Sequence, residues 1–378
     1  MKRNLLLFVF SIFLCASCTT DELDLFDPDA VRNPPEISVN IPFADPNLVP
    51  EAQDLYERLQ NLTQIGIAFG QQEAIGGGIN FFDPERSEDS DFSRVANDQP
   101  AVIGFDLEGI ELRNPLNPDP SIRDFRKKLI QDAHENGSIV TISWHATNPV
   151  TRRNSFDRNR AVSQMLENGA HRQTFLTYLE RLAAFFNDLK DVNGNPIPVL
   201  FRPWHEMNGD FFYWGEGLRT TEEYQQLFRD TVTILSEDFN VHNVLYLYTP
   251  NWVSNSSEYL RNYPGDAYVD MLGVDVYDFE NGRFLQNALR NLQIVEDIAL
   301  DKDMLFALTE TGLENLPQND WWTEGLYKAI RSSSITYAMI WRNGTSTHFY
   351  GPFLGHPSED DFKAFIAKKD ILLGSDIQ

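Results

Sequence analysis

The chain has almost no cysteine. Only Cys15 and Cys18 occur in 378 residues, both in a targeting-type segment, so the rest of the chain forms no disulfide and offers no thiol nucleophile. Basic residues are also scarce: 31 Lys and Arg face 56 Asp and Glu, a formal net charge of -25. That balance excludes binding to nucleic acid by counterion release, which needs a cationic surplus. The seven histidines show no metal-ligand spacing: His205-Glu206 lacks a second His four residues on, and His145, His171 and His242 stand apart. Neither metal nor cofactor is expected. There is no G-x-S-x-G elbow for a serine nucleophile, and Gly76-Gly77-Gly78 lacks the spacing of a phosphate-binding loop. The apolar run Leu5 to Leu14 is too short to span a bilayer as a stable anchor.

What is present begins with a signal. Lys2 and Arg3 precede that apolar run, and Ala16-Ser17 follow it, which reads as a signal peptide over residues 1–17. Small residues directly before Cys18 resemble a bacterial lipobox, with Cys15 where Leu is more usual, so lipidation at Cys18 is expected. The stretch Thr19-Thr20-Asp21-Glu22-Leu23-Asp24 is similar to the surface-export tag of Bacteroidetes lipoproteins. It implies an outer-membrane lipoprotein on the cell surface, attached to the membrane through lipid only. Residues 18–45 contain Pro28, Pro34, Pro35 and Pro42 with little periodicity and read as a tether.

From residue 46 to 378 no second linker appears, and a 42% hydrophobic, 12% aromatic composition suits one large core. Eight short apolar runs recur: Ile65 to Phe69, Ala101 to Phe105, Ser138 to Ser143, Val199 to Arg202, Val244 to Tyr248, Met271 to Val274, Leu305 to Leu308 and Tyr337 to Ile340. Amphipathic helical patterns separate them, as at Ser121 to Asn136, His171 to Leu189, Thr221 to Phe239, Gly282 to Leu300 and Trp321 to Ser332. Alternation of this kind predicts an α/β fold, a (β/α)8 TIM barrel in a single catalytic domain. Polar and aromatic residues follow the strand runs: Gln71 to Glu73, Asp106, Trp144-His145, His205-Glu206, Asn251-Trp252, Asp275 with Tyr277, Glu310, and Trp341-Arg342. In such a barrel those ends converge on the catalytic face.

Hydrolysis of a glycosidic bond with retention needs a carboxylic acid and, about 5 to 5.5 Å away, a carboxylate nucleophile. Glu206 and Glu310, following the fourth and seventh strands, are the candidate pair. Arg202 and Tyr277 are expected as hydrogen-bond donors to Glu310, and Glu310 as the charge that keeps Glu206 protonated. Asp106 and Asp275 read as inward-pointing supports, Gln72-Glu73 as a helix start, and Trp144 and Trp204 as core. Asn251 and Trp252 are subsite candidates by position.

The motifs Gly70-Gln71-Gln72-Glu73, Ser143-Trp144-His145, Arg202-Pro203-Trp204-His205-Glu206-Met207-Asn208-Gly209, Gly273-Val274-Asp275-Val276-Tyr277, Thr309-Glu310-Thr311-Gly312 and Ile340-Trp341-Arg342-Asn343 together resemble the glycoside hydrolase family 26 β-mannanases. The resemblance implies Glu206 as acid/base, Glu310 as nucleophile, and His205 and Tyr277 as their positioning partners. It also implies His145 on the sugar at the cleavage site, Trp341 as a platform beneath it, and Trp214 along the cleft. Phe211 stands where some members carry Trp. The implied function is retaining endo-β-1,4-mannanase action on mannan, glucomannan or galactomannan, with other surface glycan-utilisation proteins as further partners. Exo-acting mannobiohydrolase, β-1,3-xylanase and mixed-linkage β-glucanase activities on the same barrel, or a non-catalytic glycan-binding lipoprotein, are the alternatives.

Overall fold

In the computed structural model, eight parallel strands form a sheet that closes on itself: β1 (Ile67–Gln72), β2 (Val102–Asp106), β3 (Ile139–Ser143), β4 (Val199–Arg202), β5 (Val244–Tyr248), β6 (Met271–Asp278), β7 (Leu305–Leu313) and β8 (Tyr337–Ile340). Closure is the pairing of β8 with β1, in register from Ala68 opposite Tyr337 to Gln71 opposite Ile340. The structure describes residues 26–28, 30–34, 42–83, 85–112 and 120–378. The expected signal peptide, Cys15, Cys18 and the acidic stretch after it lie outside the described residues.

Side chains alternate along a regular strand. On β5, Val244, Tyr246 and Tyr248 face the helices, whereas Leu245 and Leu247 join an inner cluster with Ala68, Val102, Leu200, Met271, Leu305 and Met339. Helix α1 (Pro50–Ile65), to which the sequence patterns assigned no element, begins with Pro at its first position, where a missing N–H costs nothing. It lays Leu55, Tyr56, Leu59 and Leu62 into that inner cluster, and the Tyr56 hydroxyl accepts from the Leu305 amide at 3.3 Å. The lower barrel is therefore filled, and the cleft opens only at the strands' C-terminal ends.

The outer helices include α2 (Pro120–Glu135), α3 (Arg172–Asn187), α4 (Thr221–Thr233), α5 (Phe284–Lys302) and α6 (Glu359–Ile366). Thr220 and Glu223 form a reciprocal cap at the start of α4, and that helix widens to a π turn over Ile234–Asp238. The segment Trp321–Tyr327 is likewise π-helical.

Two expectations are corrected here. Because α1 runs to Ile65, β1 starts at Ile67 and runs on through Gln71 and Gln72, which are buried strand residues. Glu73 starts no helix. Its φ of 52° places it in a left-handed turn that leads into a short hairpin pairing Gly77–Gly78 with Phe81–Phe82. Gln72 also explains one glycine: a Cβ on Gly104 would lie 1.9 Å from Gln72 Oε1, so the inward position opposite it has no room for a side chain.

Candidate active site

The segment after β4 leaves the sheet abruptly. Pro203 supplies no N–H to the ladder, and Trp204 and Glu206 both adopt left-handed backbone, with φ of 55° and 53°. Each such residue costs on the order of 1–3 kcal/mol unless its surroundings over-determine it. They do: Trp204 Nε1 donates to Thr231 Oγ1 at 3.0 Å, the Tyr224 hydroxyl donates to the Trp204 carbonyl at 3.0 Å, and the Glu206 amide donates to the Thr249 carbonyl at 2.8 Å. The double reversal buries Trp204 against Trp144, ring centroids 5.0 Å apart, and sets the Glu206 carboxyl at the barrel mouth.

Glu310 reaches the same place by a different device. On β7, Phe306 and Leu308 face the helices and Leu305 and Ala307 face inward, so strict alternation would turn residue 310 outward. A β-bulge intervenes: Val274 pairs with Leu308, but Asp275 pairs with Glu310, leaving Thr309 as the extra residue. The bulge turns Glu310 inward beside Asp275, and Thr309 Oγ1 donates to Asp275 Oδ1 at 2.6 Å.

Arg202, the last residue of β4, is buried between them. Its Nη1 donates to Glu310 Oε1 at 2.9 Å and its Nη2 to Asp275 Oδ2 at 2.9 Å. Burial works against the guanidinium charge, but the two carboxylates outweigh it and hold Arg202 protonated. The other oxygen of Glu310 accepts from the Tyr277 hydroxyl at 2.8 Å. Burial, reinforced by the Glu310 and Glu206 carboxylates, pushes that phenol well above its ordinary range, so it remains a donor. Glu310 thus has two donors compensating its charge, one of them cationic.

Glu206 has neither. Only 9% exposed, it accepts one neutral hydrogen bond, from Asn251 Nδ2 to Oε1 at 3.0 Å. Burial first, then the Asp275 and Glu310 carboxylates, push it well above the carboxylate range, against a smaller opposing pull from Arg202. Two glutamates at one mouth are therefore provided for unequally: Glu310 by a cationic and a phenolic donor, Glu206 by burial and one neutral amide.

The two histidines diverge in the same way. Burial disfavours charge on His145, but Asp106 Oδ2 at 2.6 Å from Nδ1 outweighs it and raises the imidazole above its ordinary value. Asp106 in turn accepts from Ser143 Oγ at 2.6 Å and the Glu108 amide at 2.7 Å, so this inward-pointing acid supports His145. His205 lies 4.8 Å from His145, ring to ring. Burial, the His145 cation and Arg202 drive it well below its ordinary value, and its Nδ1 has no hydrogen-bond partner.

The aromatic lining differs from the expectation at one position. Trp214 is fully buried and does not line the cleft: its Nε1 donates to the His205 carbonyl at 2.8 Å and its ring stacks under Phe212 at 4.4 Å. Phe212, not singled out in the sequence, occupies the intervening layer, 5.2 Å from His145 and 5.3 Å from His205. Phe211 is half-buried and packs on Phe212 at 4.7 Å. Trp341 is half-buried, 6.2 Å from His145. The exposed Phe156, also unremarked in the sequence, stacks near His145 at 6.2 Å. Its position in the loop after β3 is the signal that could have found it.

Beside Asp106 a cavity of about 700 Å³ extends over the ends of β1, β2 and β8, lined by Glu73, Phe81, Phe82, Phe125 and Arg342 among others. On the opposite side, after β5, Trp252 is 48% exposed. Asn251 Oδ1 accepts its amide at 2.7 Å, and Asn208 Nδ2 donates to its carbonyl at 3.2 Å. Among the described residues no group of three or more His, Cys, Asp or Glu side chains could hold a metal ion.

Comparison with known proteins gives a consistent result. The profile of the family described as Glycosyl hydrolase family 26 matches residues 44–341. A mannan endo-1,4-beta-mannosidase of Bifidobacterium adolescentis is 32% identical over 367 residues, covering 89% of this chain and 36% of its own length. One from Bacillus subtilis is 28% identical, covering 59% of this chain and 61% of its own. The chain thus spans between about one third and three fifths of these relatives. Among solved structures, a GH26 β-mannanase from Bacteroides ovatus superposes with a TM-score of 0.82 at 35% identity, over 87% of this chain and 96% of that one. A modular endo-β-1,4-mannanase from Cellulomonas fimi gives 0.82 at 30% identity, over 90% and 79%.

Proposed function

The chain belongs to glycosyl hydrolase family 26, and from that premise we propose that it is a retaining endo-β-1,4-mannanase with Glu206 as acid/base and Glu310 as nucleophile. The observation that carries the assignment is the unequal provision for the two carboxyls: Arg202 and Tyr277 on Glu310, a single neutral amide on buried Glu206.

In the first step Glu206 gives its proton to the glycosidic oxygen while Glu310 attacks the anomeric carbon. Forming the ester removes the charge on Glu310. That charge is one of the causes holding Glu206 protonated, so its loss makes the Glu206 carboxylate more stable when it must next take a proton from water. Tyr277, kept protonated, remains on the Glu310 oxygen through both steps. Asp106 fixes the His145 imidazole by Nδ1, leaving Nε2 to a sugar hydroxyl, and Trp341 lies beneath the same sugar.

Because Glu206 must reach the bridging oxygen, the sugar beyond that oxygen lies on the Asn251 side of the cleft, and the cavity beside Asp106 takes the non-reducing end. Trp252, fixed next to the amide that holds Glu206, is the platform for the leaving-group sugar, where Phe211 supplies less stacking area than a Trp. Trp252→Ala should lower kcat/KM on mannotetraose about tenfold, equivalent to about 1.4 kcal/mol. A β-mannobiosyl fluoride, whose departing fluoride leaves that platform empty, should be unaffected; equal loss on both substrates would refute the platform.

The activity itself is tested by reducing-sugar release from mannan, xylan and barley glucan, with product sizes followed over time. A ladder of manno-oligosaccharides is expected, and mannobiose alone from the first minute would overturn the endo reading. For location, our reading is a lipid anchor at Cys18 and display on the outer surface, supported by the basic, apolar and small-residue order of residues 2–18. Radiolabelled palmitate should be retained by the wild type and absent from Cys18→Ser.

A further inference from the structure

Part of the Pro-containing stretch between residues 18 and 45 is fastened to the barrel. Arg32 gives three hydrogen bonds to main-chain carbonyls: Nε to Ser333 at 3.0 Å, Nη1 to Gly66 at 2.6 Å and Nη2 to Ile335 at 2.6 Å. Gly66 directly precedes β1 and Ile335 lies just before β8. One side chain therefore bridges the N-terminal ends of the two strands whose pairing closes the barrel. A second attachment lies a few residues upstream. Arg331 Nη2 donates to the carbonyls of Asp27 and Pro28, and the Phe26 ring faces Lys328 Nζ at 5.3 Å and the Arg331 guanidinium at 5.6 Å. Further on, the Ala44 amide donates to Asp270 Oδ1 at 2.8 Å, and Asp45 meets His242 Nδ1 at 2.7 Å. Every one of these partners sits at or near the N-terminal end of the barrel, opposite the cleft.

We infer that residues 26–28 and 30–34 form a clasp belonging to the catalytic domain, and that they make the barrel stand on the membrane with its cleft turned away. The second half rests on the lipid anchor at Cys18 proposed above. The argument is one of reach. With the clasp docked, only residues 19–25 separate Cys18 from Phe26, eight Cα steps that span at most about 28 Å. A domain of this size has a radius of gyration of about 20 Å, hence a diameter on the order of 50 Å. A leash that short, leaving from the N-terminal end, does not bring the opposite face to the lipid. Were the whole segment to Asp45 free, its extended length of about 95 Å would allow any orientation. The docked clasp thus presents the cleft outward, to a polymer too large to enter beneath the domain.

Two readouts test this separately. Val31 is 82% exposed, so a spin label on Val31→Cys reports the clasp without disturbing it. We expect slow, restricted motion in the full chain and a several-fold gain in mobility when Arg32→Ala and Arg331→Ala are added; a label equally mobile in both backgrounds would overturn the clasp. For orientation, the lipidated chain is placed in phosphatidylethanolamine/phosphatidylglycerol vesicles carrying a headgroup acceptor dye, with a donor at Val31→Cys or at exposed Leu354→Cys in the loop after β8. Transfer from position 31 should exceed that from position 354 about threefold or more, and the paired Arg substitutions should bring the ratio toward one. Equal transfer in palmitate-labelled wild type would overturn the orientation. Failure of palmitate to label the chain would instead remove the anchor, leaving the clasp to be judged on mobility alone.

Discussion

Glu310→Ala is expected to lower kcat on mannan by at least about 10⁴-fold, or about 5.5 kcal/mol of transition-state stabilisation. The size follows from what is lost. Without the carboxylate there is no atom to form the ester, and Arg202 and Tyr277 are left aimed at an empty position. Retaining hydrolysis has no alternative route for that step. The isosteric Glu310→Gln should fall nearly as far, because an amide oxygen is a poor nucleophile, although its oxygen can still accept from Arg202 and its NH2 can donate to the Tyr277 hydroxyl, which preserves the shape of the site. Circular dichroism and a thermal melt close to wild type for Glu310→Gln would show that the loss is chemical. Retention of more than about one hundredth of wild-type kcat by either variant would remove Glu310 from the nucleophile's role.

Glu206→Ala should behave differently, and the difference depends on the leaving group. On mannan, where the departing alcohol needs a proton, general acid catalysis accounts for about 10²- to 10⁴-fold and that amount should disappear. On a dinitrophenyl β-mannobioside, whose leaving group departs unprotonated, formation of the ester should be nearly normal, and the intermediate should accumulate for want of a base. Azide, which attacks without base assistance, should then restore turnover and give a β-glycosyl azide. The pH profile carries the same information. Glu206 acts in its protonated form, and burial with its carboxylate neighbours raises its pKa. The acid form therefore persists to higher pH than an ordinary Glu would, and wild-type activity on mannan falls as pH rises through that raised value. This alkaline limb should vanish in Glu206→Ala assayed on the dinitrophenyl substrate. An unchanged alkaline limb in that variant would assign it to another group.

The barrel was legible because its strand signal is repeated eight times: each run is bounded and apolar, and helix-length patterns separate several of them, so small errors at one boundary do not alter the count. Where the sequence misled, a neighbouring element decided the outcome. Strand β1 begins at Ile67 because α1 occupies the chain as far as Ile65, and Glu73 enters a hairpin where its charge suggested a helix start. The inward turn of Glu310 was not legible from periodicity, since Phe306 and Leu308 predict the opposite face and only the bulge at Thr309 reverses it. Glu310 could be picked out as the acid following the Leu305 to Leu308 run, which places it at the barrel mouth but does not say which face it turns to. Trp214 shows the converse limit: a motif can indicate that a tryptophan belongs near the site without saying that its indole lies beneath the floor, bonded to the His205 carbonyl. Pairings such as Asp106 with His145 join residues 39 apart and depend on neighbouring strands being in register.

The central claim, a covalent intermediate on Glu310, is tested most directly by inactivating the enzyme with a 2-deoxy-2-fluoro-β-mannosyl oligosaccharide bearing a good leaving group, then mapping the adduct by peptide mass spectrometry. We expect one glycosyl adduct per chain, on the peptide containing Glu310 and absent from Glu310→Gln. An adduct on another carboxylate, or turnover to the α-configured product with no adduct, would contradict it.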